Sequence, residues 1–494
     1  MPTRAMSDAG PFDGRLLLGG ARRAGAERYP LHDPYRRVHL ANVELAGAAD
    51  VTEAIALAIE GQRAVATLPV HRRAEILRRA ADLALERKQF YASTISRQTG
   101  KALRDALREI ERGASTLRAS ATAAESLLSE IPPADALPGG EGLLAIEMRE
   151  PAGIVVAVAP FNAPFNLVLH KVAPAIAGGN AVIVKPSRPA PLTSFQIAEL
   201  LVDAGLPAEA ISVLPAGAAV TRALVSQDAV RVVSFTGGPE AGRAIAEAAP
   251  LKRLSLELGG NSANIVHRDA DLVWAARAIA AGGMSNTGQS CNSVQRVLVH
   301  REIEARFREL LVEHVRALRT GDPLDMDTDV GTLVDEGAAR RVAESLAQAV
   351  YDGATILTGG ARRGATLEPT VVADVTSAMG IACHEIFGPV VLLLTYDRIE
   401  DAIAIANGTP YGLQAAVFTS SLAVTFAVAR GVRAGGVMVN RSSNFRLDHL
   451  PFGGVKASGT TREGARYALE EMTERKLVLV DSSLTGAPHP LARR

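Results

Sequence analysis

Cys291 stands in Gly288-Gln289-Ser290-Cys291, followed by Asn292-Ser293-Val294, and an acid lies upstream in Glu257-Leu258-Gly259-Gly260-Asn261. A thiol in a Gly/Ser-rich bend between a helical stretch and a strand can be held at the mouth of a cleft, where a lowered pKa makes it a nucleophile. Residues 282–295 are rich in small polar side chains and read poorly as core. An acid in a Gly-Gly turn is an odd group to bury without purpose. The pair points to an enzyme working through a covalent sulfur intermediate. Cys383, beside His384, lacks such surroundings and reads as a small buried hydrophobe.

Other strand ends carry groups that could serve this thiol. Asn162, in Pro160-Phe161-Asn162-Ala163-Pro164, could donate to an oxyanion together with the Cys291 N–H, or could simply form a turn. Lys185, in Lys185-Pro186-Ser187-Arg188, could bind ribose hydroxyls or phosphate. Phe235-Thr236-Gly237-Gly238-Pro239-Glu240-Ala241-Gly242 opens a helix whose N–H groups could meet a pyrophosphate, although it is not the GxGxxG fingerprint. Glu385 and Phe387, in Glu385-Ile386-Phe387-Gly388-Pro389, could take ribose hydroxyls and pack on a flat ring.

These groups need a scaffold, and 494 residues suffice for two or three domains with sizeable cores. A hydrophobic share of 48% argues against disorder. The 53 basic residues balance 53 acidic ones, which removes the usual argument for nucleic acid or an acidic membrane surface as partner. Two cysteines make no disulfide framework and show no metal-site spacing, so no metal is expected and a reducing compartment fits. No stretch approaches the ~18 apolar residues that span a bilayer. A cytoplasmic enzyme is expected.

Residues 48–129 repeat Ala, Leu, Arg and Glu at helical period, ahead of any strong strand. After Pro151, apolar runs at 153–159, 181–185, 211–214 and 231–235 alternate with helices, and the alternation resumes at 263–266, 294–300, 390–396, 414–418 and 435–440. Such alternation predicts an α/β fold of two doubly wound parallel-sheet domains, with ligands at the carboxyl ends of the strands. Residues 143–148 and 476–480 read as outlying strands forming a small oligomerisation arm and a subunit contact. The boundaries drawn are 1–132 with 149–256 for a cofactor domain, 257–474 for a catalytic domain, and 133–148 with 475–494 for the arm.

In order, the motifs around Asn162, Lys185, Phe235-Thr236-Gly237-Gly238, Glu257, Cys291, Glu385-Ile386-Phe387-Gly388-Pro389 and Pro451-Phe452-Gly453-Gly454 resemble the aldehyde dehydrogenase superfamily over roughly residues 45 to 480. The resemblance implies NAD(P)+-dependent oxidation of a small aldehyde to a carboxylate. Cys291 would form a thiohemiacetal whose oxyanion rests on Asn162 and the Cys291 N–H, and Glu257 would activate water against the ensuing thioester. Lys185, Ser187, Phe235, Gly237, Gly238, Gly242, Leu258, Glu385 and Phe387 would hold NAD or NADP. A homodimer or homotetramer is implied.

Two departures refine this picture. Arg188 stands where the family commonly has an acid, and an Arg could neutralise a 2′-phosphate, which points to NADP. Arg104, Arg108 and Arg112 share one helical face. They are either a solvated stripe or an anion funnel in which Arg108 or Arg112 grips a phosphate, phosphonate or carboxylate on the substrate. Arg446 and His449, before the Pro451-Phe452-Gly453-Gly454 turn, form a second basic patch on that tunnel. The competing readings are an acylating semialdehyde dehydrogenase using coenzyme A, against which Glu257 argues, and a catalytically silent structural protein.

Overall fold

The computed structural model describes residues 12–127 and 129–481. Residues 1–11, 128 and 482–494, which include the start of the expected cofactor domain and the end of the expected arm, lie outside the described residues.

Two seven-stranded sheets organise the chain. The first runs Arg253–Glu257, Val230–Thr236, Ile154–Val158, Ala181–Lys185, Ile211–Val213, Leu16–Leu18, Ala21–Arg23. Its first five strands are mutually parallel and the N-terminal pair closes one edge antiparallel. Strand Ile154–Val158 is buried at every position, because helices cover both faces, and only a continuous apolar run suits that environment. The second sheet runs Thr355–Thr358, Thr370–Ala373, Val390–Tyr396, Val294–His300, Ser262–Val266, Gln414–Phe418, Gly436–Val439, parallel except for its first strand. The α/β fold with two wound sheets is therefore as expected.

The N-terminal strands before residue 46 were not anticipated. Leu16–Leu18 is a three-residue strand, too short to alternate visibly, yet all three leucines are buried against the first sheet's edge. The helix Ala465–Glu471 places Ala465 and Leu469 in the core under the first sheet, although it follows the last strand of the second.

The terminal strand Thr473–Asp481 pairs antiparallel with Leu143–Pro151 of the same chain along nine residues. The predicted strand thus finds its first partner within the chain, and the two form a separate ribbon with Leu144, Met148, Leu477 and Leu479 exposed. No helix among the described residues is long and apolar enough to cross a membrane.

Candidate active site

Strand polarity builds the site. The carboxyl ends of the first sheet's strands deliver Asn162 (shortly after Val158), Lys185, Thr236 and Glu257, while Cys291 and Glu385–Phe387 sit in loops entering the amino ends of second-sheet strands. The rule of ligands at carboxyl ends therefore holds for the first sheet alone. The second sheet offers the loops that precede its strands.

Between them lies a cavity of about 420 Å³ lined by Asn162, Lys185, Ser187, Arg188, Phe235, Gly237, Gly238, Leu258, Cys291, Glu385 and Phe387, among others. All but two of the residues singled out for chemistry or cofactor binding line it. Gly242 lies beneath instead: a Cβ there would stand 2.7 Å from the Leu258 side chain, so Gly242 lets the helix Pro239–Ala248 seat against the lining. The other is Glu257, buried nearby and held in place by a bridge to Gly459.

Cys291 is half-buried, and its N–H has no partner among the described residues. The Asn162 amide donates to the Gln289 carbonyl at 2.9 Å, which leaves its second N–H available. Backbone crowding fixes the approach: a Cβ on Gly260 would lie 2.1 Å from the Cys291 carbonyl oxygen, and one on Gly259 would lie 2.7 Å from a Glu385 oxygen. Only glycines let the turn after Glu257 pass between the thiol loop and Glu385. Glu385 accepts from the Gly260 N–H at 2.9 Å.

The electrostatics correct one expectation. Burial, with the Glu385 and Glu257 carboxyls adding to it, pushes the Cys291 thiol up to about 12, not down. A half-buried sulfur facing acids has no reason to ionise. Burial, and then the neighbouring Glu463, also pushes Glu257 well above the usual carboxylate range, and both its oxygens lack a hydrogen-bond partner in the structure. Burial raises Glu385 to about 7 against the opposing Gly260 N–H.

Behind Glu257 lies an ionic network that the sequence gave little sign of. Lys171, on the wholly buried helix Asn166–Ala177, pairs with Glu463 at 3.2 Å. Arg446 reaches Glu463 at 3.1 Å and Asp448 at 3.4 Å, with its guanidinium 3.9 Å from the Phe452 ring centre. Asp448 also takes Arg112 through two bonds, of 2.9 and 2.7 Å, and His170 at 3.0 Å. Although burial pushes both carboxyls up, Lys171 and Arg446 outweigh it at Glu463, and the His170 hydrogen bond with Arg112 outweighs it at Asp448, so both stay ionised. Burial, then Arg446, keeps His170 neutral. Adjacent His170 and Lys171 inside a largely apolar helical run were a sequence signal for the network beside Arg112 and Arg446; Glu463 carried none.

The basic residues proposed for substrate separate here. Arg112 already grips Asp448 bidentately, tying the helix Leu103–Ser126 to the loop of residues 441–450, so it is a cross-link. Arg108 is 72% exposed with Asp105 at 3.6 Å as its ion-pair partner. Arg104 pairs with Asp329. His449 is exposed and takes no hydrogen bond among the described residues. Arg446, held by Glu463 and Asp448, does not line the cavity and belongs to the buried network behind Glu257.

A nicotinamide dinucleotide fits the cavity on the chemistry of its donors. Ser187 Oγ is buried with no partner, Lys185 has none among the described residues, and burial pulls its pKa down. Arg188 is exposed without a carboxylate partner, its guanidinium 4.2 Å from the Tyr29 ring centre, while the Tyr29 hydroxyl donates to the Arg188 carbonyl at 2.6 Å. A strand end carrying two unneutralised cations and an orphaned hydroxyl suits ribose and phosphate oxygens. Gly237 and Gly238 also line the cavity and precede a helix with Pro239 in its first turn, whose N-terminal N–H groups have the chemistry to meet a pyrophosphate. The described residues contain no cluster able to hold a metal ion.

Comparison with known proteins agrees with this geometry. The aldehyde dehydrogenase family model matches residues 21–478. A 3-sulfolactaldehyde dehydrogenase of Priestia aryabhattai is 40% identical over 467 residues, covering 94% of this chain and 98% of its own. A sulfoacetaldehyde dehydrogenase of Neptuniibacter caesariensis is 34% identical, covering 92% and 99%. Among solved structures, the NADP-dependent glyceraldehyde-3-phosphate dehydrogenase from Bacillus halodurans C-125, complexed with NADP, superposes with a TM-score of 0.92 at 33% identity, over 95% and 99% of the two chains. With a family model spanning nearly all of it and both wound sheets in place, the chain belongs to the aldehyde dehydrogenase family of oxidoreductases, which use NAD or NADP.

Proposed function

We propose that this enzyme oxidises a small anionic aldehyde to its carboxylate with NAD(P)+, through a thiohemiacetal and then a thioester on Cys291. The observation that carries the reading is the opening of the Cys291 thiol and the Asn162 amide onto the same cavity as Lys185, Ser187 and Arg188. The thiol sulfur adds to the carbonyl carbon, and its proton passes to Glu257, whose raised pKa suits it to that exchange at neutral pH. The oxyanion takes hydrogen bonds from the free Asn162 N–H and the Cys291 N–H. When bound, the dinucleotide supplies the acceptor for the hydride that the thiohemiacetal carbon loses. Glu257 gives the thiol's proton up to solvent, then draws a proton from water as the water attacks the thioester and passes it to the departing sulfur, which returns the free thiol and the acid. Retention of that base favours water over coenzyme A as acyl acceptor.

The anionic substrate is supported by charge. Around Glu257 the cations Lys171, Arg446 and Arg112 face two ionised carboxylates, Glu463 and Asp448, and Arg446 is near enough to pull the Cys291 and Glu257 pKa values down. Once Glu257 has taken the thiol proton, one positive charge is left over among these groups. The sulfonated aldehydes named for two relatives carry a matching anion. Arg108→Leu is expected to raise KM roughly tenfold for a sulfonate- or carboxylate-bearing aldehyde and to leave KM for a neutral aldehyde of equal size unchanged. Steady-state NAD(P)H formation over such a pair reads it, and equal effects on both would remove Arg108 from recognition.

The same charge argument gives Arg188 the 2′-phosphate of NADP, pre-oriented by stacking on Tyr29. Arg188→Leu should lower kcat/KM for NADP about tenfold to a hundredfold and change that for NAD by less than about threefold. A parallel loss with both cofactors would contradict the assignment. The exposed apolar residues of the Leu143–Pro151 and Thr473–Asp481 ribbon are read as a contact between copies. Light scattering on the full chain should give the mass of two or four copies, and a monomer would exclude this.

A further inference from the structure

The helix Leu103–Ser126 carries two acids one turn apart, Asp105 and Glu109, that each accept backbone N–H groups from loops outside that helix. Asp105 accepts from the backbone N–H of Asn286 at 2.9 Å. Glu109 is buried, pairs with Lys101, and accepts from the N–H groups of Phe165 at 2.7 Å and Asn166 at 3.2 Å. One helical face thus holds the loop that carries Asn162 and the loop that leads to Cys291. Those are the two halves of the oxyanion site.

The Asn286 loop needs holding. Asn286 and Thr287 are successive non-glycine residues in the left-handed region, at φ 54° and 55°, and Gly288 continues at 67°. A β-branched residue is disfavoured there, so the turn persists only where its surroundings fix it. Asn286 also ties the two loops together: its side-chain amide donates to the Asn162 carbonyl at 2.9 Å and the Gln289 carbonyl at 3.0 Å. The Asn162 amide donates to the same Gln289 carbonyl. A shift of Asn286 therefore moves the Asn162 donor and the Cys291 N–H relative to each other.

We propose that Asp105 is a positioning residue for the reaction: by fixing the Asn286 N–H it sets the strained turn that brings the Cys291 N–H and the Asn162 amide onto one oxyanion. The proposal rests on the roles given to Cys291 and Asn162 above. It is tested with a neutral aldehyde, so that Arg108 and substrate charge play no part, at saturating dinucleotide in the full-length enzyme. Asp105→Ala should lower kcat about tenfold to a hundredfold with KM and the dinucleotide dissociation constant within about threefold, because only a group formed in the transition state is displaced. Asp105→Asn keeps a side-chain oxygen that can accept the Asn286 N–H and should recover kcat to within about threefold of the parent. A merely structural acid would lower the melting temperature and leave kcat per folded enzyme intact. The proposal is overturned by an Asp105→Ala enzyme with kcat within about twofold of the parent, or by an Asn variant as slow as the Ala one. If Asp105→Ala gives no soluble enzyme, Asp105→Glu, whose extra methylene displaces the carboxylate, replaces it under the same thresholds. Failure of the underlying reading shows separately, as turnover that survives loss of Cys291.

Discussion

Cys291→Ala is expected to lower kcat by a factor on the order of 10⁵ to 10⁶, while the dinucleotide still binds with an unchanged dissociation constant. The size follows from the thiol's place in the sequence of bonds. Without sulfur there is no thiohemiacetal, and the oxyanion donors Asn162 and the residue-291 N–H have nothing to stabilise. Binding should survive because Lys185, Ser187 and Arg188 follow a strand of the first sheet, whereas the thiol loop leads into the second. Single-turnover NAD(P)H formation and a dinucleotide titration read the two halves separately. The resting thiol, held up near about 12 by burial and the acids around it, also predicts slow alkylation of the free enzyme at neutral pH, accelerating as pH rises. Buried acids that keep the sulfur protonated would also protect it from oxidation between turnovers.

Glu257→Gln should cost about 10² to 10⁴ in kcat. Its pH dependence distinguishes the role of base from that of a structural acid. Activity needs the deprotonated carboxylate, and burial together with Glu463 raises its pKa, so kcat should fall as pH drops through that raised value. The acid limb of the parent enzyme is therefore expected at a pH well above the usual carboxylate range. In the Gln variant this limb should vanish, leaving a low and flat profile on that side. A Gln variant that kept the parent's acid limb would assign the limb to another group, with Glu385, raised to about 7 and lining the same cavity, next in line.

Much of the fold was legible because its strands are buried on both faces. Ile154–Val158, Ala181–Lys185 and Val390–Tyr396 show as unbroken apolar runs, and no exposed polar face interrupts them. Leu16–Leu18 shows the opposite case, since three residues give no period to read and their burial comes from a sheet edge far away in sequence. The site was legible where chemistry and backbone coincide, as at Gly260, where a Cβ would meet the Cys291 carbonyl. The pairings were not. Arg112 and Arg108 look alike in the sequence, yet Arg112 is held by Asp448 on a distant loop and Arg108 is exposed. The sign of the Cys291 shift was equally hidden, because it comes first from burial and then from Glu385 and Glu257, which arrive from distant parts of the chain.

The most direct test is to mix the Glu257→Gln enzyme with aldehyde and NAD(P)+, quench, and measure the mass of the peptide bearing residue 291. The variant slows thiol activation as well as deacylation, yet each NAD(P)H formed in the first turnover should be matched by one acyl group gained by that peptide. NAD(P)H released with no acyl group on Cys291, or an acyl group found on Cys383 instead, would contradict the covalent route proposed here.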